Sequence, residues 1–271
     1  MTSEPPLIEI RNATIWRGST RVFENFDLTI EQHERVAVLG PNGSGKTTLL
    51  QTINRELYPV VADGSSVKIL GRDDWNVWEL RRHIGVVSHD LQQRYTPTTT
   101  ALEVVVSGFH SSIGVHGTLA RRITDEQVSR AGEIMATLGI EALRATPLKS
   151  MSTGQQRRCL LGRALVHDPD TLILDEPTEG LDFAASFDYL RRIRELSRSG
   201  HNIVIVTHHL DDIPPEINRV IVLRKGRIVA DGGKSEVLTG EVLSTAYDTP
   251  VRVIEVDGYF LAYPGDTSQK T

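Results

Sequence analysis

The sequence predicts an α/β fold with a parallel sheet, and three apolar stretches carry that prediction. Val36–Leu39 leads into a glycine-rich turn and then a helical pattern, while Thr171–Leu174 and Asn202–Thr207 are further short apolar strands. Near-continuous apolar strands are expected in a parallel sheet that is covered on both faces. Residues 101–166 have a helical pattern instead, which predicts a helical subdomain inserted between strands of the sheet.

The composition is that of a globular protein and excludes several classes. The chain has 271 residues, 39% of them hydrophobic, and a net charge of -5, so no nucleic-acid partner is expected. The single cysteine, Cys159, excludes an intramolecular disulfide framework and fits a reducing compartment. Met1–Pro6 has no features of a secretion signal, and no apolar run reaches about 18 residues. We therefore expect a cytoplasmic chain whose role at a membrane would depend on a partner.

A small antiparallel sheet is predicted at the N-terminus, because Leu7–Ile10 and Phe26–Ile30 alternate apolar and polar residues. Trp16 and Arg17 are expected between these strands. Either side chain could stack on a nucleotide base, although Trp16 taken alone is more typical of packing.

Further elements follow in chain order. Val67–Leu70 and Ile84–Ser88 are expected to be strands, and Trp75–His83 between them a helix whose tryptophans serve packing. The polar stretch Asp90–Thr100 is expected to be a loop. Other signals are a capping box at Thr124, helix-ending glycines at Gly139 and Gly200, and hairpin turns at Lys225-Gly226 and Asp257-Gly258.

The turn after the first apolar strand matches the phosphate-loop pattern G-x-x-x-x-G-K-[ST]. Its glycines allow tight bending and a close approach of the backbone to a ligand, so that successive N–H groups form an anion cradle. Lys46 would reach the β- and γ-phosphates, and the Thr47 hydroxyl is a suitable Mg²⁺ ligand. The candidate phosphate-binding residues are Gly40, Pro41, Asn42, Gly43, Ser44, Gly45, Lys46, Thr47 and Thr48.

Polar residues at two strand ends complete a candidate catalytic set. Asp175 ends an apolar strand and is of the type that holds Mg²⁺ in phosphate-loop NTPases, while Glu176 suits a general base that orients water. His208 ends the strand Asn202–Thr207 and could position water beside the γ-phosphate. Ser152 is predicted to cap a helix, which by itself is no more than an ordinary N-cap.

Taken in order, these motifs resemble the ATPase domain of the ABC family from about Leu7 to Leu238. They are the phosphate loop at 40–48, the signature at 151–155, the Walker B strand at 171–176, the D-loop at 180–182 and the switch residue His208. The resemblance implies a RecA-like P-loop NTPase core with an antiparallel β subdomain. It also implies an ATPase domain over 1–240, a helical insertion at about 91–166, and a β-hairpin extension with a polar tail over 241–271.

The resemblance also implies that ATP and Mg²⁺ are bound between two copies of the domain, in a homodimer or an ATPase heterodimer. Lys46 of one copy and the signature residues Ser152, Gly154 and Gln155 of the other would hold one ATP. Asp175 and Thr47 would hold Mg²⁺, with Glu176 and His208 as the catalytic residues.

Three positions depart from the family pattern. Thr153 replaces the first signature glycine, and its backbone N–H remains suitable for the same role. His89 stands where the Q-loop glutamine is expected, so His89, Gln92 and Gln93 are alternative contacts for Mg²⁺. The aromatic residue expected to stack on adenine aligns closer to Arg17 than to Trp16.

The predicted function is the ATP-hydrolysing subunit of an ABC transporter, with a separate transmembrane permease that holds it at the inner face of the cell membrane. Val104–Phe109 and the compact C-terminal end are similar to importers of metal chelates or molybdate. The alternative is a soluble ABC ATPase in cofactor assembly or regulation, with the same ATP chemistry and no permease. The cargo and the direction of transport are not identified by the sequence.

Overall fold

The computed structural model describes residues 4–115 and 117–265, and the chain forms two compact units. The first unit combines Met1–Val77 with Asn202–Thr271, and the second is Trp78–His201. The strands are β1 (Ile8–Arg17), β2 (Thr20–Ile30), β3 (Val36–Leu39), β4 (Ser66–Ile69), β5 (Ile84–Val87), β6 (Thr171–Asp175), β7 (Asn202–Thr207), β8 (Arg219–Arg224), β9 (Arg227–Gly233), β10 (Val251–Val256) and β11 (Tyr259–Pro264). The helices are α1 (Lys46–Ile53), α2 (Val77–His83), α3 (His89–Gln93), α4 (Ala101–Ser107), α5 (Asp125–Thr137), α6 (Thr153–Leu165), α7 (Phe183–Arg198), α8 (Lys234–Val237) and α9 (Gly240–Tyr247).

In the first unit, β2, β1 and β4 form the predicted antiparallel sheet in that order. Ile8 pairs with Ile30 on one side and with Ile69 on the other, and all three side chains are buried. The strands extend further than predicted, so Trp16 and Arg17 lie within β1 rather than between two strands. Irregular pairing near Ala13 interrupts the simple alternation that a half-buried strand would show, which explains the error.

The first unit also contains the parallel strands predicted from their apolar runs. β3 lies between β7 and β8 and runs parallel to both, with Val38 opposite Val206 and Ile221. Every residue of β3 and β7 is buried, as expected for central strands. β9 returns antiparallel to β8.

Both predicted hairpins are present in the first unit. Lys225 and Gly226 have φ of 48° and 74°, and Asp257 and Gly258 have φ of 51° and 78°. Two consecutive left-handed residues are the requirement of a type I′ turn, which matches the twist of the flanking strands. The polar tail predicted at the C-terminus begins at Pro264, and beyond residue 265 it lies outside the described residues.

The second unit contains the parallel pair β5 and β6, and helix α4 packs against α5 and α6. The predicted capping box is confirmed, since Gln127 N donates to Thr124 Oγ1 at 3.3 Å and Thr124 N donates to Gln127 Oε1 at 3.3 Å. Gly139 and Gly200 follow α5 and α7 with left-handed φ, as predicted for helix ends.

Two predictions near β5 differ from the structure. The helix expected over Trp75–His83 is present but begins at Val77, and Trp78, expected to serve packing, is 64% exposed. The stretch expected to be a loop from Asp90 instead begins within helix α3. Ser88 is the N-cap of this helix, since Leu91 N donates to Ser88 Oγ at 3.2 Å. The polar composition of the stretch favours a loop and gives no sign of the helix.

Gly226 provides a test of how closely the hairpin approaches β2. A Cβ at this position would lie 1.8 Å from Val22 O, whereas a Cβ at Gly64, which has nearly the same φ, would meet nothing within 4 Å. We predict that Gly64→Ala lowers the free energy of unfolding by about 1 kcal/mol through backbone strain alone. Gly226→Ala should cost about 2 kcal/mol more because the backbone must also shift. Urea unfolding of both variants measures the difference, and equal losses would contradict the close approach.

Candidate functional site

The candidate phosphate loop follows β3 directly, and its backbone is held in a narrow space. A Cβ at Gly40 would lie 2.3 Å from Leu223 O and 2.7 Å from Ser44 Oγ, so no larger residue fits there. Ser44 N donates to Pro41 O at 3.1 Å, and Gly226 N donates to Ser44 O at 2.9 Å. The β8–β9 turn therefore supports the loop from one side.

The loop ends at the start of α1 in a conformation that leaves backbone donors available. Gly45 is the N-cap with φ of 115°, and it has no side chain to accept from the first N–H groups of the helix. These groups, together with the positive end of the helix dipole, favour an anion.

Lys46 and Thr47 differ in their exposure at this helix start. Lys46 is buried, and its Nζ donates to Gly40 O at 2.6 Å and to Pro41 O at 3.3 Å. The ammonium is thus held over the loop by the loop's own carbonyls. Thr47 is exposed, whereas Thr48 is buried with its carbonyl accepting from Thr52 Oγ1 at 2.8 Å. Of these two threonines, Thr47 is therefore the one that is accessible from solvent.

His208 belongs to the same unit as this loop and leaves the neighbouring strand at the same end. Leu39 of β3 pairs with Thr207 of β7 in a parallel register, so the residues after them emerge side by side. Thr207 Oγ1 donates to the buried carboxylate of Asp212, and His209 N donates to Thr207 Oγ1 at 3.0 Å. The ring centroids of His208 and His209 lie 3.8 Å apart. His208 and the first residue of the phosphate loop, Gly40, therefore follow directly on two paired strand ends.

The second unit brings together a different group of the predicted site residues. Val87 of β5 pairs with Leu174 of β6, so the stretch that begins at Ser88 and the pair Asp175-Glu176 leave one end of the two strands. Asp175 and Glu176 are both half-buried. Glu176 has φ of 46°, a conformation that costs free energy in a residue with a Cβ. The carboxylate at this strand end is therefore presented by strained backbone.

The signature stretch forms a capped helix start with an exposed tip. Gln155 N donates to Ser152 Oγ at 3.3 Å, and Ser152 N donates to Gln155 Oε1 at 2.9 Å, which completes a capping box. Ser152 and Thr153 are exposed. A Cβ at Gly154 would lie 3.1 Å from the Ala185 side chain, so the glycine allows close packing of α6 against the start of α7.

The signature helix is also joined by a buried arginine to the residue that precedes the D-loop. Arg157 has no exposed surface, and its Nη2 donates to Glu179 O at 3.1 Å. The sequence does not distinguish this residue from its neighbour Arg158, because both have the same chemistry and the helical pattern alone does not separate them.

The thiol of Cys159 lies beneath the signature stretch, 3.9 Å from Met151 Sδ. Complete burial raises the pKa of the Cys159 thiol to about 12. The residue is therefore a small core side chain rather than a nucleophile.

Of the alternatives for the Q-loop contact, Gln92 makes a contact that places it. The side chain of His89 lies outside the described residues. Gln92 Nε2 donates to Gln156 Oε1 at 2.8 Å, and Gln156 Nε2 donates in turn to Leu148 O at 2.9 Å. Gln92 is therefore tied to the signature helix, a contact that the sequence pattern did not indicate.

The two candidates for base stacking lie at the end of β1. Trp16 pairs with Arg21 and Arg17 with Thr20 in the antiparallel register, and both candidates are exposed. Phe23 of β2 connects this sheet to the phosphate loop, since a Cβ at Gly45 would lie 3.0 Å from the Phe23 ring.

Comparison with known proteins identifies the family. The sequence profile described as ABC transporter matches residues 23–179. The chain belongs to the ABC transporter family. The ABC transporter ATP-binding protein YlmA of Bacillus subtilis is 30% identical over 253 residues, which cover 92% of this chain and 93% of the relative. An ABC transporter ATP-binding protein of Methanopyrus kandleri is 40% identical over 214 residues, which cover 78% of this chain and 75% of the relative. The chain is thus an ATP-binding protein of this family.

Solved ABC structures have the same fold. A metal-chelate type ABC transporter in an inward-facing conformation aligns with a TM-score of 0.76 over 97% of this chain and 99% of that chain, and at 20% identity this likeness shows the fold alone. CbiO1 of Clostridium perfringens, part of the ABC transporter complex cbiONQ, is 26% identical with a TM-score of 0.71, covering 89% of this chain and 94% of that chain. The dimeric ABC transporter cassette MJ0796 is 27% identical with a TM-score of 0.67, covering 83% of this chain and 98% of that chain. The predicted α/β P-loop NTPase fold is confirmed.

Among residues 4–115 and 117–265, no helix is both long enough and apolar enough to cross a membrane.

Proposed function

We propose that this chain hydrolyses ATP as a dimer and drives substrate import through a separate transmembrane permease. The observation that carries the proposal is the anion cradle at the end of β3. Gly40 admits no side chain, the start of α1 has no side-chain cap, and the Lys46 ammonium lies over the loop. These features suit the β- and γ-phosphates of ATP.

The donor set also fits a magnesium ion. The Thr47 hydroxyl is exposed, and Asp175 supplies a carboxylate at the end of β6. Hydroxyl and carboxylate oxygens are the hard ligands that Mg²⁺ prefers. Bound Mg²⁺ would neutralise the charge that develops on the phosphates during their transfer to water.

Two residues are proposed to act on the attacking water. Glu176 would accept its proton as general base, and its left-handed backbone conformation is the kind of strain that is often retained at functional sites. His208 would donate a hydrogen bond to the γ-phosphate and orient the water. Trp16 or Arg17 would stack on the adenine, since both are exposed at the end of β1.

The exposed signature tip supports the proposal of a dimer. Ser152 and Thr153 are exposed at the start of α6, where the positive end of the helix dipole favours an anion. In a closed dimer, Ser152, Gly154 and Gln155 of one copy would hold the ATP bound by Lys46 of the other. The related cassette MJ0796 is dimeric, and CbiO1 is part of a transporter complex. A permease would place the dimer at the inner face of the cell membrane.

The hydrolytic part is tested by Glu176→Gln. This variant keeps the shape of the side chain and removes the base, so ATP turnover should fall by about 10²-fold or more while ATP affinity is retained. Size-exclusion chromatography with ATP should then show a stable dimer. Glu179→Gln, which changes a nearby exposed carboxylate, is the matched control and should hydrolyse ATP at the normal rate. Normal turnover in Glu176→Gln would remove that residue from its proposed role.

The proposed role of the signature is tested by comparing two helix caps. Ser152→Ala and Thr124→Ala each remove a capping-box hydroxyl and should each lower the free energy of unfolding by about 1 kcal/mol. Only Ser152→Ala should also slow ATP turnover, by about 10-fold or more, because only Ser152 is proposed to touch the nucleotide. If both variants slow turnover to the same extent, the signature acts through stability rather than through contact.

The transport part is tested by purification of the tagged chain from membranes of its own host. We expect a transmembrane permease to co-purify and the ATPase rate to rise when the two are reconstituted in lipid. Recovery of a water-soluble partner without any permease would favour the alternative of a soluble ABC ATPase.

A further inference from the structure

The segment that follows β7, residues 208–214, is tied at both ends to the C-terminal part of the chain. At its start, Tyr247 Oη donates to His208 O at 3.2 Å across 39 residues of sequence. At its end, Lys234 Nζ donates to Ile213 O at 3.3 Å and to Pro214 O at 2.9 Å. We call the part that makes these contacts, residues 234–264, the C-terminal brace.

The first contact, the hydrogen bond from Tyr247 to His208 O, is made from a helix that is anchored at both ends. Tyr247 is the last residue of α9, whose Leu243 and Ala246 are buried. The helix begins at the Thr239 cap, where Val242 N donates to Thr239 Oγ1 at 3.3 Å. It ends at Asp248, whose carboxylate pairs with Arg224 at the end of β8. The Tyr247 hydroxyl is therefore fixed relative to the sheet that carries His208.

The second tie is a buried charge with several acceptors. Lys234 is 8% exposed, and besides the two carbonyls of the segment its Nζ donates to Gly258 O at 2.7 Å. The same ammonium lies 5.3 Å from the centroid of the Phe260 ring. One cation thus joins the end of the segment to the turn of the β10–β11 hairpin, and a Cβ at Gly258 would lie 3.1 Å from Pro215.

These contacts hold the backbone of His208 at the strand end beside the phosphate loop, where its carbonyl accepts from Tyr247. Within residues 207–214, Thr207 Oγ1 donates to the carboxylate of Asp212, and the hydrogen bond from Tyr247 adds a contact to the His208 peptide from outside. Because the His208 carbonyl and the His208 side chain are attached to the same residue, loss of this hydrogen bond would let the backbone at His208 shift and would displace the imidazole with it.

We propose that the C-terminal brace positions His208 for ATP hydrolysis, with Tyr247 as the positioning residue. The inference rests on the proposed function, in which His208 contacts the γ-phosphate. Tyr247 would act through His208 rather than on the nucleotide itself. It acts on the rate of the chemical step through the His208 peptide and leaves ATP binding to the phosphate loop.

The test is Tyr247→Phe in the full-length protein, which removes one hydroxyl and keeps the ring. The value of kcat for ATP should fall about fivefold, the effect of one neutral hydrogen bond, while KM stays within about twofold. Tyr263→Phe is the matched control, since that tyrosine lies in β11 with 41% of its surface exposed, and it should leave both parameters unchanged.

A double-mutant cycle separates positioning from general stability. In the His208→Ala background, measured by single-turnover hydrolysis, Tyr247→Phe should have no further effect, because there is no ring left to orient. If Tyr247→Phe lowers the rate equally in both backgrounds, its role is structural and the inference is wrong. Unchanged kcat in Tyr247→Phe, with His208→Ala strongly impaired, would also overturn it. Normal hydrolysis in His208→Ala would instead overturn the proposed role of His208 itself.

Discussion

The parallel pairing of β3 with β7 and β8 is the constraint on which the first unit depends. It places Leu39 beside both Thr207 and Val222, so three chain segments leave the sheet at one edge. The phosphate loop is one of these segments, and the segment that begins with His208 is another. Ligand sites lie at the carboxyl ends of parallel strands because loops from neighbouring strands meet there.

The phosphate loop can be predicted from the sequence because its backbone has little freedom at the end of β3. An anion would be bound by the backbone N–H groups of this loop. The sequence is therefore constrained by backbone conformation rather than by the chemistry of a particular side chain. Gly40 lies too close to Leu223 O for any Cβ, and Gly45 adopts a φ that other residues avoid. Each requirement restricts one position to glycine. The spacing of the glycines therefore predicts the local structure and the chemistry together.

Other parts of the molecule were less predictable, for physical reasons that differ. The apolar strands β3, β6 and β7 were predicted because full burial leaves a continuous hydrophobic run. The far end of β1 was missed since irregular pairing near Ala13 disturbs its alternation. Helix α3 was missed because its five residues are too few to show a helical period. The contact of Tyr247 with His208 has no local signal at all, since it depends on how distant segments fold together.

The buried Lys234 ammonium fixes the position of the segment after β7, and burying this charge costs free energy. Burying an ammonium requires giving up its hydration, and a well-packed apolar side chain of similar size is often more stabilising. The three carbonyls around Lys234 offset that cost only when Ile213, Pro214 and Gly258 lie in one arrangement. The cation therefore favours a single register of the hairpin against the segment. Because that register is set outside the ATPase motifs, substitutions in residues 234–264 can alter the position of His208 while every motif remains intact.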